Sequence, residues 1–359
     1  MKKKFATVTY HRHDNYGAVL QCYALQEALK ELNVDVEVLD YVCKVSLKPY
    51  TLTAIKKRGI FPCLMSTAGM LLRLPRKKAF SEFRKKLNLS RPYHAGNISE
   101  ASDRYDGFIV GSDNVWNQEI TGFDKTYFLN FVKDAHKKNS YAASMGMAKV
   151  PEKYEQEVKQ LLQDFRVITT REKKTAASLS QLLNRDVTSV VDPTLLLSSE
   201  EWDKLCENQP IVGEPYILAY QMLPSRDFVE FVNQQAERYR CKAVFIPFAQ
   251  GAKNANGYSN YKCGPEEWLS LFKNANAIVT DSFHGCVFSI LFHKQFAIKV
   301  SQLGERIYNI LSLLNLEDRI VQDGVIFDMQ KPIDYKQADM RLTEVREQSM
   351  VRLKEIVTG

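Results

Sequence analysis

Three short segments set chemistry-bearing side chains where an apolar run gives way to a helical pattern. Asp281-Ser282-Phe283-His284-Gly285 follows residues 277–280, Arg171-Glu172 follows 167–170, and Asn15-Tyr16-Gly17 lies between residues 5–10 and a helix at 18–32. A guanidinium offers a planar fork of donors to a carboxylate or phosphate, and the first amides of a helix offer donors to the same oxyanions. An imidazole titrates near neutral pH, which suits delivery or removal of a proton. His284 and Arg171 are therefore the catalytic candidates. Asn15, Tyr16, Gly17, Asp281, Ser282 and Gly285 are candidates for holding a substrate. Plainer readings stand beside these: His284 as a buried helix-cap histidine, and Arg171-Glu172 as an exposed ion pair.

Ser112-Asp113 and Trp116-Asn117 put polar groups beside one indole. Sugars are held through their hydroxyls by carboxylates and amides, and through their apolar faces by aromatic rings. An N-capping Asp and a core tryptophan account for the same residues nearly as well. Asp192-Pro193-Thr194 reads as a strand stop with a capped turn. His11 and His13 have the spacing of a metal pair, but no further ligand pattern accompanies them, so neither metal nor other cofactor is expected.

These residues need a scaffold that brings strand ends together. Residues 5–10, 18–32 and 34–41 form a β-turn-α-β opening, the unit of a parallel sheet with right-handed crossovers. Strands at 107–110, 139–143, 167–170 and 187–191 continue it, with helices after Pro151 and through Leu183. A polar connection containing Pro and Gly around 198–214 marks a boundary. A second series follows: strands at 216–220 and 243–247, a helix at Pro265–Asn274, a strand at Ala277–Thr280, a helix beyond His284, and residues 296–300 as the last central strand. The expected architecture is α/β, with two Rossmann-like parallel-sheet domains facing a cleft. They span 1–205 and 206–330, and 331–359 forms a closing helix. The candidates fall at the carboxyl ends of strands, the edge where open α/β sheets bind ligands.

With 359 residues, 45% of them apolar and 25% charged, the chain has the balance of a folded protein with two domains. No apolar run reaches the roughly 18 residues of a membrane-spanning helix, and residues 5–10 are too short and polar for a signal-peptide core. Seven scattered cysteines without a Cys-x-x-Cys pair suit reduced thiols in the cytoplasm. The net charge of +7 is unevenly spread: residues 44–91 carry thirteen Lys or Arg against Glu82 alone, which leaves the remainder acidic. Charge confined to one stretch is not the folded basic face of a nucleic-acid binder, so no nucleic-acid partner is expected. Residues 44–91 read as a basic helical insertion in the first domain. Phe80, Phe83 and Leu87 share one face among Arg84, Lys85 and Lys86. That pattern fits either a peripheral contact with the inner membrane face or a solvated helical hairpin.

Six segments, in order over residues 5–320, resemble the polysaccharide pyruvyl transferase family. They are Asn15-Tyr16-Gly17-Ala18-Val19-Leu20-Gln21; Tyr105-Asp106-Gly107-Phe108-Ile109-Val110-Gly111-Ser112-Asp113 with Val115-Trp116-Asn117; Ser140-Tyr141-Ala142-Ala143-Ser144; Thr170-Arg171-Glu172-Lys173; Val191-Asp192-Pro193-Thr194; and Val279-Thr280-Asp281-Ser282-Phe283-His284-Gly285. The resemblance implies a GT-B-like fold, phosphoenolpyruvate as donor, and a pyruvate ketal formed on a sugar during surface or capsular polysaccharide biosynthesis. The acceptor it implies is a sugar, for which a lipid-linked oligosaccharide would give segment 44–91 a use. His284 matches the family's histidine and Arg171 its donor-binding arginine. The pattern departs at Asn114, where many members have Gln, and at Ser282, where the better understood members carry the arginine of Arg-Leu-His. A donor with nearly three negative charges then calls for another basic group. Arg306, at a helix start in Gly304-Glu305-Arg306, is the expected one. The competing function on this architecture is a glycosyltransferase using a nucleotide sugar, with Glu266 or Glu267 holding the ribose. A third is a carbohydrate-binding protein without activity.

Overall fold

The structure, a computed structural model, describes residues 2–43, 74–206, 211–223, 225–247, 258–259, 263–300, 304–322 and 324–359. It forms two compact units: Met1–Met70, Arg84–Leu197 and Val345–Gly359 in the first, Leu71–Phe83 and Ser198–Glu344 in the second. The helices, in chain order, are α1 (Tyr16–Glu31), α2 (Leu74–Arg84), α3 (Gln118–Thr121), α4 (Glu152–Leu162), α5 (Lys173–Leu183), α6 (Ser199–Asp203), α7 (Arg226–Arg238), α8 (Pro265–Asn274), α9 (Phe283–Leu291), α10 (Glu305–Leu314) and α11 (Tyr335–Thr358).

The first unit is built on five parallel strands, β1 (Lys4–Val8), β2 (Asp35–Tyr41), β3 (Leu89–Tyr93), β4 (Gly107–Val110) and β5 (Lys138–Ser140), in the order β3-β2-β1-β4-β5. Successive side chains of a strand point to opposite faces. Ala6, Val8, Phe108 and Val110 thus enter one core while Phe5, Val36 and Ile109 enter another. Both faces are covered, which is why these strands read as nearly unbroken apolar runs. A short parallel pair, β6 (Thr169–Thr170) and β7 (Thr188–Ser189), continues beyond β5 through bridges from Asn139 to Val167 and from Ala143 to Thr170.

The second unit repeats the plan with β8 (Tyr216–Gln221), β9 (Lys242–Pro247), β10 (Tyr258–Ser259), β11 (Ala277–Thr280) and β12 (Gln295–Ile298), in the order β10-β9-β8-β11-β12 and all parallel. Residues 296–300, expected as a central strand, lie instead at the sheet's edge. Their apolar character follows from cover on the open side, where Val321 N–H donates to Ile298 O and Ile320 bridges Ile298.

Three further expectations change. Of the basic insertion 44–91, residues 44–73 lie outside the described residues, but 89–93 are β3, a sheet strand. Arg91 and Pro92 broke its apolar pattern, as an edge strand permits. Helix α2 belongs mainly to the second unit rather than the first. It buries Phe80 and Phe83 completely, so the amphipathic face offered for a membrane is turned into protein. The closing helix is not a separate element: Leu353, Ile356 and Val357 join the core of the first unit, and Arg346 Nε donates to Leu195 O. Among the described residues no helix is long and apolar enough to cross a membrane.

One close approach fixes where α9 starts. A Cβ on Gly285 would be driven into the side chain of Thr280, 2.9 Å from its Cβ. Thr280 cannot yield easily, because its hydroxyl donates to Tyr220 O at 2.8 Å and accepts from Ser282 N–H at 3.1 Å. Gly285→Ala is therefore expected to destabilise the protein by about 1–3 kcal/mol, the usual range for overpacking, read as a lower urea midpoint at unchanged slope. An unchanged midpoint would show that α9 can move off β11.

Candidate functional site

In the order β3-β2-β1-β4-β5 the chain leaves β1 to one side and returns through β4 to the other, so the loops after β1 and β4 diverge and leave a crevice at their carboxyl ends. The two loops are stitched below it: Gln21 Nε2 donates to Thr9 Oγ1 at 2.8 Å, and Thr9 Oγ1 donates to Ser112 O at 3.1 Å. Ser112 is fully buried and its hydroxyl donates to Asp192 Oδ2 at 3.0 Å. Asp113 and Asn114 follow with φ of 68° and 59°, two successive left-handed residues that turn a half-exposed carboxylate over the strand ends.

Arg171 is 7% exposed, and its guanidinium is engaged inside the protein. Nη1 donates to Asp192 Oδ2 at 2.7 Å, Nη2 donates to Ser144 Oγ at 2.9 Å, and Glu172 lies 3.6 Å from Nε. Burial works against its charge, but Asp192, Glu172 and Asp113 outweigh that and hold it more firmly protonated than usual. Asp192 also accepts from Thr194 N–H and Oγ1 through its other oxygen. The donor-binding role expected of Arg171 would fall to a fork already engaged by Asp192 and Ser144. The ion-pair alternative is closer, except that the pair is buried and its main partner is Asp192.

Other expected residues take structural contacts. Trp116 is completely buried, stacked on Phe128 with ring centroids 5.8 Å apart, and its Nε1 donates to Tyr127 O at 2.9 Å. An indole with its one donor satisfied inside the core cannot be a sugar platform. Tyr16 and Gly17 are buried in the first turn of α1. Asn15 and Asn117 act as N-caps, accepting from Ala18 N–H and from Glu119 and Ile120 N–H respectively. Sequence reasoning missed Asp40 and Arg84, which brace the loop after β1. His11 Nε2 lies 2.9 Å from Asp40 Oδ1, and Arg12 donates to both Asp40 oxygens at 2.7 and 2.6 Å. Neither residue carried a local signal, since their partners are many positions away.

The second unit has its own switch point between β8 and β11. Asp281 Oδ1 accepts from Met222 N–H at 2.6 Å and Oδ2 from Leu223 N–H at 2.9 Å, closing the loop after β8 onto the end of β11. Burial pushes its pKa up, and these amide bonds oppose the shift without cancelling it. Ser282 caps α9, accepting from Gly285 N–H at 3.4 Å. His284 is the second residue of α9 and 8% exposed, with its ring edge-on to Phe283 at 5.1 Å. The structure thus gathers Asp281, Ser282, His284 and Gly285 at one strand–helix junction. Arg306 is half-buried in the first turn of α10, a helix that packs against α9.

Two parallel-sheet units, each with its polar residues at the carboxyl edge beside the strand-order reversal, define an α/β protein of two Rossmann-like domains. A Listeria monocytogenes protein assigned as a UDP-N-acetylglucosamine 2-epimerase is similar to it with a TM-score of 0.55 and 10% identity, over 99% of this chain and 91% of that one. The UDP-GlcNAc 2-epimerase of Methanocaldococcus jannaschii, solved with UDP-GlcNAc and UDP, is similar with a TM-score of 0.54 and 14% identity, over 100% and 99%. At such identities the likeness is one of fold, that of GT-B-type enzymes. The family model for polysaccharide pyruvyl transferases matches residues 15–298, and the chain belongs to that family. No curated protein sequence matches it.

The Arg171–Asp192 pair generates a stability prediction. Removing one member leaves the other charge buried without its partner, at a cost of about 3–5 kcal/mol. Arg171→Ala should therefore unfold at markedly lower urea. A loss below about 1 kcal/mol would contradict the bracing role.

Proposed function

We propose that this chain transfers the pyruvyl group of phosphoenolpyruvate to two hydroxyls of a sugar, forming a cyclic ketal and releasing phosphate in the building of a surface polysaccharide. The observation that carries the reading is His284 in the first turn of α9, at the carboxyl end of β11 and within the span matched by the family model. The reaction needs a proton on the donor's methylene carbon, attack of one hydroxyl on C2, and loss of phosphate as a second hydroxyl closes the ring. An imidazole buried at a strand end, in the first turn of a helix, is suited to hold that proton. The amides at the start of α9 offer donors to the donor's anionic groups, and Arg306 supplies the guanidinium that relatives carry at the position of Ser282. Ser282 retains the capping of α9. The acceptor is a sugar diol, and a lipid-linked oligosaccharide fits the family's place in polysaccharide assembly.

The nucleotide-sugar alternative called for a ribose-binding carboxylate near the start of α8. Glu267 is instead turned back to accept from Gly264 N–H at 3.3 Å, which closes the helix start. Thermal unfolding with each ligand separates the two readings. A ligand at 100 times its dissociation constant stabilises by about 2.7 kcal/mol, so phosphoenolpyruvate should raise the melting temperature and UDP-GlcNAc should not. The reverse pattern would replace the donor.

His284→Ala should keep the fold and the stabilisation by phosphoenolpyruvate. It should lower phosphate release in the presence of sugar diols by roughly 10² or more, the usual scale for a general acid–base group. Near-normal phosphate release from a stable variant would remove His284 from the chemistry.

A further inference from the structure

The loop between β1 and α1 is fixed residue by residue. His11 uses Nδ1 towards Thr9 O at 3.2 Å and Nε2 towards Asp40, and Arg12 holds both oxygens of Asp40. Arg84 donates to His11 O and Arg12 O at 2.9 Å each, and to Asp14 Oδ1 at 2.6 Å. Asn15 caps α1. Between these clamped neighbours, His13 projects an exposed imidazole whose nitrogens make no hydrogen bond among the described residues. The ring is nevertheless held in place, 4.9 Å from that of Tyr10. Tyr10 in turn stacks on Tyr127 at 4.9 Å and donates from its hydroxyl to Ile120 O at 3.3 Å. The loop's neighbouring side chains are engaged, and the imidazole of His13 is propped on an aromatic stack.

Asp113 lies on the left-handed turn after β4, the strand paired in parallel with β1, so His13 and Asp113 both follow the carboxyl ends of adjacent strands. The groups that act on His13 are known. Partial desolvation lowers its pKa from the ordinary value, Arg84 and His11 add to that, and Asp113 and Asp14 oppose it. The ring is therefore neutral at physiological pH with a carboxylate beside it to stabilise the imidazolium that forms when it takes a proton.

We propose that His13 and Asp113 form a sugar-hydroxyl site on the first unit, with the imidazole accepting a hydrogen bond from one hydroxyl and Asp113 accepting one from its neighbour. The inference rests on the pyruvyl-transfer reading, in which two hydroxyls must lose protons.

Two measurements on the full chain decide the matter. In the first, imidazole carbon–proton signals are titrated by NMR, with His13 assigned by its loss in His13→Gln. Asp113→Asn removes a charge that favours imidazolium, so the His13 midpoint should fall by about 0.5 unit or more. An unmoved midpoint overturns the pair. In the second, methyl glycosides of galactose, mannose, glucose and N-acetylmannosamine are added one at a time. At least one should shift the His13 signals, and His13→Gln should weaken its binding ten-fold or more while the thermal shift with phosphoenolpyruvate stays unchanged. If none shifts His13, or His13→Gln binds the glycosides as well as the parent, the sugar site is rejected even where phosphoenolpyruvate binds. Glycosides that shift His13 in a protein that ignores phosphoenolpyruvate would sink the donor reading and leave the sugar site standing.

Discussion

A guanidinium buried almost completely must find a carboxylate, and the partner Arg171 finds organises the carboxyl edge of the first unit. Asp192 takes the Arg171 ion pair and the Ser112 hydroxyl on one oxygen, and closes its own turn through Thr194 on the other. Ser144 takes the second arm of the fork. These contacts reach from the end of β4 past β5 to β6, so the loop that carries Asp113 cannot shift without disturbing a charge pair in low dielectric. Replacing such a pair by apolar residues often costs nothing, which argues that its value here is positional. It fixes where polar backbone emerges into the crevice, and at what angle.

The second unit meets the same constraint with a carboxylate and no arginine. Asp281 receives two backbone amides from the loop after β8, so the strand ends on either side of the switch point are joined by charge-assisted hydrogen bonds rather than by an ion pair. Gly285 then allows α9 to start directly on top of Thr280. The consequence for His284 is a backbone locked on three sides: strand pairing behind, the Asp281 stitch beside, and the Ser282 cap below. A group that must meet a reacting atom within a fraction of an ångström needs that kind of support.

What was legible in the residues divides along the line between local and distant interactions. The alternation of apolar strands with amphipathic helices is local, and the parallel two-unit architecture follows from it. The junction at Asp281–Gly285 was legible for the same reason, since strand end, cap and helix start are consecutive. Trp116 misled because an aromatic beside polar residues looks alike whether its face meets a sugar or Phe128. The partner of Arg171 was not legible, because Asp192, 21 positions away, is invisible to any reading of neighbours. β3 was hidden by Arg91 and Pro92, which an edge strand tolerates and a central one does not. His13 was seen but weighed only as half of a metal pair. Its meaning depends on His11 being taken by Asp40, a contact between the loop after β1 and strand β2.

The likeness in fold to nucleotide-sugar epimerases carries no chemistry with it, because a doubly wound α/β unit fixes where ligands bind and leaves open which ones. What separates one such enzyme from another is the handful of side chains projected at the switch points. Here they are imidazoles and carboxylates set on immobile backbone, with guanidinium groups largely committed to holding that backbone still. Arg12, Arg84 and Arg171 all serve loops rather than open space. In a chain with 49 basic side chains, that use of arginine means that the donor of the proposed reaction would be met by helix N-termini and by residues outside the segments that resemble the family most closely. The exchange at Ser282 is then intelligible in physical terms. A serine there secures the first turn of α9, whose amides carry partial positive charge, and so strengthens the electrostatics of the junction by geometry where an arginine would do so by charge.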